Sequence, residues 1–315
     1  MPTQTQSGKA FEYALLNEAD NILSRSFRVN VVNDQYYATS LAAYNIFTFR
    51  QQARYSQAAI AAINHIITLE PRLSNPISNN DTLTIQLQPD SAGGAGDVRD
   101  ILFIRSSQSW EIGVSAKNNH QALKHSRLSN VKDFGQSWVG IPCSQNYFNA
   151  IAPTFAAMAS LKLNGALWRN IPNKHATFYR PILNAFCNEL TAINNANQNI
   201  PQNLISYLIG RYDFYKVMKR QKIVEILAFN LHGTLSRSIN SIRPATHIPR
   251  LTLPTRIIQF QMLPGSTDTL SVVLDHGWQL SFRIHSAETK VIASLKFDVN
   301  LVGRPNSMYS HHISY

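Results

Sequence analysis

The segment GDVRDILFIRSSQSWEIGVSAK, residues Gly96–Lys117, decides the fold class. Two runs of alternating apolar residues flank the short polar connection SSQS, and this pattern is typical of a β-hairpin. We therefore predict antiparallel strands at Asp100–Arg105 and Trp110–Lys117. A third strand is predicted just upstream, where Thr82–Gln88 reads TLTIQLQ.

The spacing of this hairpin sets Asp100 opposite Ser115, because antiparallel partners have residue numbers with a constant sum. Opposed residues share a face of the sheet, so Asp100, Ser115 and Lys117 are predicted to point to one side. The other face of the second strand is predicted to enter the core, with Trp110, Ile112, Val114 and Ala116. Glu111 shares the Lys117 face, but it lies about 20 Å away along the strand and is left out of the site.

Asp100 and Lys117 are the residue types that phosphodiester hydrolysis requires. The carboxylate can bind a divalent metal, and the ammonium can activate water and offset phosphoryl charge. The glycine-rich run SAGGAGD permits close approach of a ligand, and Asp97 at its end supplies a second carboxylate. The same pair could instead be a surface salt bridge, which would contribute about 0–1 kcal/mol.

A third acid is expected from a helix that lies across the sheet, and Glu12 and Glu70 are both candidates. Glu12 lies in the first amphipathic pattern, Lys9–Leu23, and Glu70 ends the second predicted helix. We predict Asp100, Asp97 and Glu70 as ligands of a Mg²⁺ ion, with Glu12 as the other candidate carboxylate of the catalytic site. Either glutamate could instead be an ordinary helix residue.

A segment rich in basic and amide side chains, NNHQALKHSRLSN, follows Lys117, and its spacing predicts a helix. Such side chains read base edges and bind phosphates in DNA. The predicted DNA-contacting residues are Asn118, Asn119, His120, Lys124, His125 and Arg127, with Arg283 of a C-terminal strand. The segment could also be an ordinary basic helix, and His120 or His125 could act as a general base.

The rest of the pattern predicts a mixed α/β protein with a mixed central β-sheet flanked by helices and an additional helical and β C-terminal region. Helices are predicted at Gln52–Leu69, Tyr147–Leu161, Phe178–Ile193 and Asn203–Leu231. The last of these carries the basic stretch Lys216–Lys222, which we expect to contact phosphates. Strands are predicted at Thr255–Met262, Thr269–Asp275, Trp278–His285 and Val291–Val302. We predict a catalytic core over residues 1–200 and a region over residues 201–315 that completes a DNA cleft.

The composition favours a soluble globular protein that binds polyanions. The 315 residues have a formal net charge of +11, and 44% of them are hydrophobic, which is enough to fill a core. The charge would also suit an anionic membrane surface. Cys143 and Cys187 are the two cysteines and lack zinc-ligand spacing, which favours the reducing cytoplasm. The sequence has no apolar signal core and no run of ~20 apolar residues, so we expect no membrane insertion.

The acid, hairpin and lysine of this segment resemble the PD-(D/E)xK nuclease motif, and the predicted order α, β, β, β, α resembles the core of that superfamily. More specifically, the text of Gly96–Ser129, DFGQSW at Asp133–Trp138 and WQLSFRIHSAETKVIASLKFDVNLVG near the C-terminus are similar to HaeIII-type restriction endonucleases. The resemblance runs from Ser7 to Gly303. It implies a type II enzyme that cleaves double-stranded DNA at GGCC with Mg²⁺.

The resemblance assigns Asp100, or Asp97, to the first acid of the motif and Lys117 to its lysine. The position two before the lysine, usually Asp or Glu in the motif, is Ser115 here, so the missing carboxylate must come from elsewhere. A twofold-symmetric DNA site suggests a homodimer, with a monomer that cuts each strand in turn as the alternative. Two other functions stay open: a sequence-specific DNA-binding protein without catalysis, and a nuclease acting on RNA or on modified or branched DNA.

Overall fold

The computed structural model of the chain describes residues 2–119 and 122–315, without the side chains of Gly94 and Ala95. The chain divides into two units, each built from several stretches of sequence. The first unit comprises Met1–Gln121, Gly210–Leu251 and Ser307–Tyr315, and the second comprises Ala122–Ile209 and Thr252–Asn306. These units do not coincide with the predicted segments 1–200 and 201–315.

The helices and strands are numbered in chain order. The helices are α1 (Gln4–Leu23), α2 (Gln35–Asn45), α3 (Phe49–Leu69), α4 (Pro71–Ser74), α5 (Gln145–Leu163), α6 (Arg180–Ala196) and α7 (Ile200–Ile209). The strands are β1 (Val29–Val31), β2 (Leu83–Leu87), β3 (Ile101–Arg105), β4 (Trp110–Asn118), β5 (Ala122–Leu128), β6 (Phe214–Lys219), β7 (Ile223–Phe229), β8 (Ile257–Met262), β9 (Thr269–Leu274), β10 (Gln279–His285), β11 (Leu295–Gly303) and β12 (Ser310–Ser314).

The first unit contains a seven-stranded mixed sheet in the order β1-β2-β3-β4-β6-β7-β12. The pairs β1–β2 and β4–β6 are parallel, and the remaining neighbours are antiparallel. Helices α1 and α3 contribute buried apolar residues to a core shared with the sheet, including Phe11, Leu15 and Ile63, which are fully buried. Burial of one such side chain contributes roughly 1.5–3 kcal/mol, so this helix layer fixes the position of α1 over the sheet. The predicted mixed α/β fold with a mixed central sheet and flanking helices is confirmed.

The hairpin has the register that its sequence predicts. Ile101 pairs with Val114 and Arg105 with Trp110, which sets Asp100 opposite Ser115. The backbone N–H of Asp100 donates to the carbonyl of Val114 over 2.8 Å, so the pairing extends one residue beyond β3. The side chains predicted to face the core are all buried there: Trp110, Ile112, Val114 and Ala116.

The second unit contains a five-stranded antiparallel sheet in the order β5-β11-β10-β9-β8. Aromatic side chains fill the space beside one face of this sheet. The ring of Phe186 on α6 lies 5.0 Å from that of Phe297 on β11 and 5.8 Å from that of Phe282 on β10. Helix α6 therefore packs on the face that carries Phe282 and Phe297.

One helix that we predict is a strand in the structure, and a second is helical only over its first part. The segment after Lys117 forms β5, because its backbone pairs with the distant strand β11 and this pairing overrides the local helical spacing. The helix predicted at Asn203–Leu231 ends at Ile209, where Gly210 has a φ of 97° in the left-handed region. Strands β6 and β7 follow it. The sequence patterns also did not predict α2, α4, β1 and β12.

Within residues 2–119 and 122–315, no helix combines the length and the apolar character that a bilayer span requires.

Candidate active site

The Asp100 carboxylate is held by three donors at the end of β3. Its Oδ2 atom accepts hydrogen bonds from the Ser115 hydroxyl (3.1 Å), the Ala116 backbone N–H (2.7 Å) and the Lys117 ammonium (3.0 Å). All three donors lie on β4, the neighbouring strand. The Asp100 and Lys117 side chains keep 21% and 28% of their surface exposed, so a ligand from solvent can reach the pair.

The other carboxylate oxygen of Asp100, Oδ1, accepts no hydrogen bond from any residue that the structure describes. A carboxylate fixed through one oxygen and open at the other suits a hard divalent cation, which prefers oxygen ligands.

Glu12 on α1 is the second carboxylate of this site. The residue is 7% exposed, and the Asp100 and Lys117 charges both act on it. Burial, followed by the Asp100 charge, raises the pKa of Glu12 to about 7, although Lys9 and Lys117 act in the opposite direction. A cation bound beside Glu12 would offset the Asp100 charge and stabilise the ionised form of the Glu12 carboxyl group.

Lys9 bridges Glu12 to the exposed residue Asp90. Its ammonium donates to Glu12 Oε2 over 2.8 Å and to Asp90 Oδ1 over 2.7 Å. Burial lowers the pKa of Lys9, but the two carboxylates outweigh it and the net pKa lies above the usual lysine range. Lys9 therefore carries a positive charge and partly neutralises Glu12.

Asp97 lies close to Asp100 in sequence but is turned towards Arg99. The guanidinium of Arg99 donates to Asp97 Oδ2 over 2.7 Å and to Glu111 Oε1 over 2.8 Å, and the Gln88 amide donates to Asp97 over 2.8 Å. Burial raises the pKa of Asp97, but these hydrogen bonds outweigh it and the pKa lies below its usual value. The described contacts of Asp97 thus hold the loop before β3.

Gly113 on β4 is the platform on which Arg99 lies. A Cβ atom at this position would lie 2.1 Å from the Arg99 Cδ atom, so a larger residue would displace the guanidinium. The Arg99 side chain is 4% exposed and crosses from the loop to the hairpin. Arg99 therefore links Asp97 of the loop to Glu111 of β4.

Glu70 lies in different surroundings from Glu12. Its Oε1 atom accepts hydrogen bonds from the Tyr215 hydroxyl and the Ser236 backbone N–H, each over 2.7 Å. Burial raises the pKa of Glu70 to about 7, and these two donors act in the opposite direction. None of its described partners is Asp100 or Lys117, so the structure does not bring Glu70 to the predicted metal ligands.

The sequence reading misplaced Lys216. This residue was predicted in a helix that contacts phosphates, but it lies on β6 in register with Ser115 of β4 and is 2% exposed. Burial, followed by the Lys117 charge, keeps the pKa of Lys216 well below its usual range, while Asp100 acts in the opposite direction. The sequence did not reveal a buried lysine beside the site, because several nearby residues are also basic and a run of basic residues is typical of an exposed surface.

The residues predicted to contact DNA fall into both units. In the first unit, Asn118 donates to the Tyr55 hydroxyl over 3.2 Å, and the Asn119 N–H donates to the Lys219 carbonyl over 2.8 Å. His120 lies outside the described residues. The other predicted contacts lie on strands of the second unit, namely Lys124, His125 and Arg127 on β5 and Arg283 on β10.

Lys124 points to the opposite side of β5 from His125 and Arg127, because neighbouring strand residues alternate. Its ammonium donates to the Tyr207 carbonyl over 2.9 Å and lies 3.7 Å above the Tyr207 ring. Burial lowers the pKa of Lys124 to about 8. The DNA role predicted for Lys124 is therefore harder to reconcile with the structure than the roles predicted for His125 and Arg127.

The described residues include no group of three or more His, Cys, Asp or Glu side chains that could enclose a metal ion. Two carboxylates, Asp100 and Glu12, nevertheless suffice for Mg²⁺, which usually takes one or two carboxylates and completes its shell with water and substrate phosphates. The donor set at this site therefore fits that cation. It fits zinc poorly, because structural zinc sites use cysteine and histidine ligands.

Two similarities to known proteins identify the family of this chain. The chain matches the family model described as HaeIII restriction endonuclease over residues 8–305. It is 39% identical to the type II restriction enzyme HaeIII of Haemophilus aegyptius over 302 residues, which cover 95% of this chain and 94% of that protein. No solved structure matches the chain. The chain therefore belongs to the HaeIII restriction endonuclease family, a family of site-specific deoxyribonucleases.

Proposed function

We propose that this chain is a type II restriction endonuclease that hydrolyses phosphodiester bonds of double-stranded DNA in a Mg²⁺-dependent reaction. One observation carries the proposal. Asp100 is held by Lys117 over 3.0 Å at the end of a hairpin, and Glu12 of α1 is close enough for both charges to act on it. Two acids and a lysine in a partly exposed site are the groups that this reaction needs.

Asp100 and Glu12 would hold the Mg²⁺ ion in this proposal. Bound there, Mg²⁺ would supply Lewis-acid stabilisation of phosphoryl charge and would lower the pKa of water. Glu12 takes the place of the carboxylate that the PD-(D/E)xK motif carries two residues before its lysine. Ser115 at that position donates to Asp100 instead, which orients the carboxylate.

Lys117 would act on the substrate through its ammonium group. The hydrogen bond to Asp100 fixes the position of Nζ, and its 28% exposed side chain can still reach a phosphate oxygen or the attacking water. A positive charge held in place before the substrate arrives stabilises the transition state without further reorganisation. Lys117 therefore orients the water and offsets the charge on the phosphate.

The expected substrate is a short palindromic site, with GGCC as the sequence that the resemblance to HaeIII-type enzymes implies. A palindrome is matched by a homodimer with a twofold axis, and a monomer that cuts the strands one after the other is the alternative. A cytoplasmic enzyme of this kind would meet foreign DNA in the cell. Sedimentation of the protein with and without a palindromic duplex distinguishes the dimer from the monomer.

Incubation of the purified protein with unmethylated phage DNA and Mg²⁺ tests the proposed function. We expect discrete fragments whose ends lie within GGCC, and no fragments when EDTA removes the metal. Cleavage of RNA or branched DNA alone would contradict the proposal.

The variant Asp100→Ala separates the nuclease from a DNA-binding protein without catalysis. We expect it to bind a GGCC duplex in a gel shift but not to cut it. Glu18→Gln, a substitution on the same helix as Glu12, serves as the control that should cut normally. A wild-type protein that binds the duplex and never cuts it would support the rival function.

A further inference from the structure

The β5, β11 and β10 strands of the second unit bring together basic residues from two distant parts of the sequence. In the observed register Arg127 is opposite Lys296, and Asp298 is opposite both His125 and Arg283. Partners in register share a face of a sheet. The residues of this face are His125, Arg127, Arg283, His285, Lys296 and Asp298, and we call them the basic sheet face.

The basic sheet face lies opposite the core of its unit. Residues between those of the basic face, such as Phe282, Phe297 and Leu128, are fully buried, and α6 packs against the two phenylalanines. On the basic face the side chains of Arg283 and His125 are 58% and 46% exposed. The sheet thus has one apolar face and one polar face open to solvent.

Asp298 at the centre of this face lies between two histidines. The Nδ1 atom of His125 lies 2.6 Å from Asp298 Oδ1, and the Nε2 atom of His285 lies 3.2 Å from the same oxygen. The other ring nitrogen of His285, Nδ1, lies 2.9 Å from the Ser286 carbonyl. The His285 Nε2 atom and Asp298 Oδ1 approach each other closely but do not have the geometry of a hydrogen bond.

The remaining cations are only weakly engaged by acids. Arg283 Nε lies 3.8 Å from Asp268, and Arg127 donates over 3.3 Å to the neutral Ser294 hydroxyl. The face therefore has a net positive charge. Because β5 and β10 are separated by one strand, Arg127 and Arg283 lie on the order of 10 Å apart, comparable to the ~12 Å width of the DNA major groove, which is lined by phosphates.

We propose that the basic sheet face binds the phosphate backbone of the DNA duplex through Arg127, Arg283 and Lys296. Asp298 is a positioning residue that holds His125 and His285 between them. This inference rests on the proposed function, because the polyanion that the face takes is the substrate of the enzyme. Phosphate contacts place the duplex without selecting its sequence, and base selection lies elsewhere.

The triple variant Arg127→Ala, Arg283→Ala, Lys296→Ala in the full chain tests the proposal. Binding of a GGCC duplex is measured without Mg²⁺ at several salt concentrations. We expect affinity to fall at least about tenfold, and the slope of log affinity against log salt to decrease by about 2–3, since each phosphate contact contributes about 0.9. An unrelated duplex should lose affinity by a similar factor.

A second triple variant of the same unit provides the matched control. Lys132→Ala, Lys162→Ala, Arg169→Ala removes the same charge from exposed residues that are not on β5, β10 or β11. Near wild-type binding is expected for this control. Equal losses in the two triple variants, or an unchanged salt slope in the first, would overturn the proposal, as would a loss confined to the GGCC duplex.

Two further measurements keep the outcome interpretable. If thermal unfolding shows that the triple variant is not folded, Arg283→Ala alone is used. Its side chain is 58% exposed and is the most exposed of the three. The expected change in its salt slope is about 1, and no change contradicts the inference. A wild-type protein that cuts DNA while the variants bind normally refutes this inference alone. A wild-type protein that neither binds nor cuts refutes the proposed function.

Discussion

Glu12 and Glu70 are the same residue type at nearly the same burial, and their pKa values are both raised to about 7, yet their surroundings differ. Glu12 meets charges, with Lys9 bonded to it and Asp100 and Lys117 acting on it. Glu70 accepts hydrogen bonds from two neutral donors, the Tyr215 hydroxyl and the Ser236 N–H. The charges that act on it are those of Arg72 and Asp213, not those of Asp100 and Lys117. Burial raises both pKa values, so the pKa alone does not distinguish a metal ligand from a structural acid.

The difference lies in what a cation would find beside each carboxylate. Beside Glu12 there is a second acid, Asp100, with an oxygen that no described donor reaches. Glu70 has donors on Oε1, and its Oε2 atom is buried without a described hydrogen-bond partner. A buried oxygen without a partner favours the neutral form of Glu70, whereas the Glu12 carboxylate is paired with Lys9 and would be stabilised further by a cation. The comparison therefore predicts that the two glutamates respond differently to the same substitution.

The largest expected effect is on cleavage. Glu12→Gln should reduce the rate of DNA cleavage by about 100- to 1,000-fold, because it removes a proposed ligand of the Mg²⁺ ion that stabilises phosphoryl charge. Glu70→Gln should stay within about threefold of the wild-type rate. Single-turnover cleavage of a GGCC duplex at saturating Mg²⁺ measures both. Similar losses of cleavage rate in the two variants would contradict the different roles proposed for Glu12 and Glu70.

The pH dependence of stability tests the raised pKa of Glu70. A carboxyl group whose pKa is raised by folding stabilises the folded state fully below its unfolded pKa, and this contribution disappears as the pH rises through the folded value. For Glu70 the window runs from about 4.5 to about 7. The loss amounts to about 3 kcal/mol, at 1.36 kcal/mol per pKa unit.

Glu70→Gln cannot ionise and should escape this loss. The free energy of unfolding of the variant minus that of wild type, from urea titrations, should therefore be about 2–3 kcal/mol larger at pH 8 than at pH 5. An identical difference from wild type at both pH values would show that Glu70 ionises in the folded state without cost.

The fold is predictable from sequence where pairing is local. The hairpin of β3 and β4 has the predicted register because its two strands are joined by a short connection, and alternation alone sets which side chains are buried. Strand β5 was predicted as a helix because its partner, β11, is far away in sequence. Lys216 on β6 was misassigned for a similar reason, since burial of a lysine depends on neighbours that the local pattern does not reveal.

In the candidate site, too, the local contacts were predictable from the sequence and the long-range contacts were not. Asp100 and Lys117 could be placed together from the hairpin spacing, and the structure has them 3.0 Å apart. The choice between Glu12 and Glu70 could not be made, because it depends on how α1 and α3 lie on the sheet. Both are helix acids in the sequence. Their roles as ligands stay predictions.

Metal binding should reveal Glu12 through its proton. Because Mg²⁺ needs the ionised carboxylate, apparent affinity should fall about tenfold for each pH unit below about 7 and level off above it. Calorimetric titration of wild type between pH 5.5 and pH 8 measures this profile. Glu70→Gln should show the same profile. A flattened profile in that variant would show that the proton lost on Mg²⁺ binding belongs to Glu70 and not to Glu12.

The smallest effect is expected at Asp97, the acid that lies nearest to Asp100 in sequence. Asp97→Asn keeps a hydrogen-bonding oxygen for Arg99, and Arg99 retains its ion pair with Glu111, so the guanidinium is not left without a partner. Cleavage should therefore fall by less than about tenfold. This loss is far below that of Glu12→Gln, which removes a carboxylate on which the Asp100 and Lys117 charges act.

Single-turnover rates for Asp97→Asn and Glu12→Gln under identical Mg²⁺ concentrations provide the measurement. If Asp97 were a ligand of the metal, its loss would match that of Glu12→Gln and would be partly relieved by raising Mg²⁺, because a missing ligand weakens metal binding. If Asp97 acts through Arg99, added Mg²⁺ should leave the small defect unchanged. The response to Mg²⁺ therefore distinguishes an acid that holds the cation from one that only holds the loop beside it.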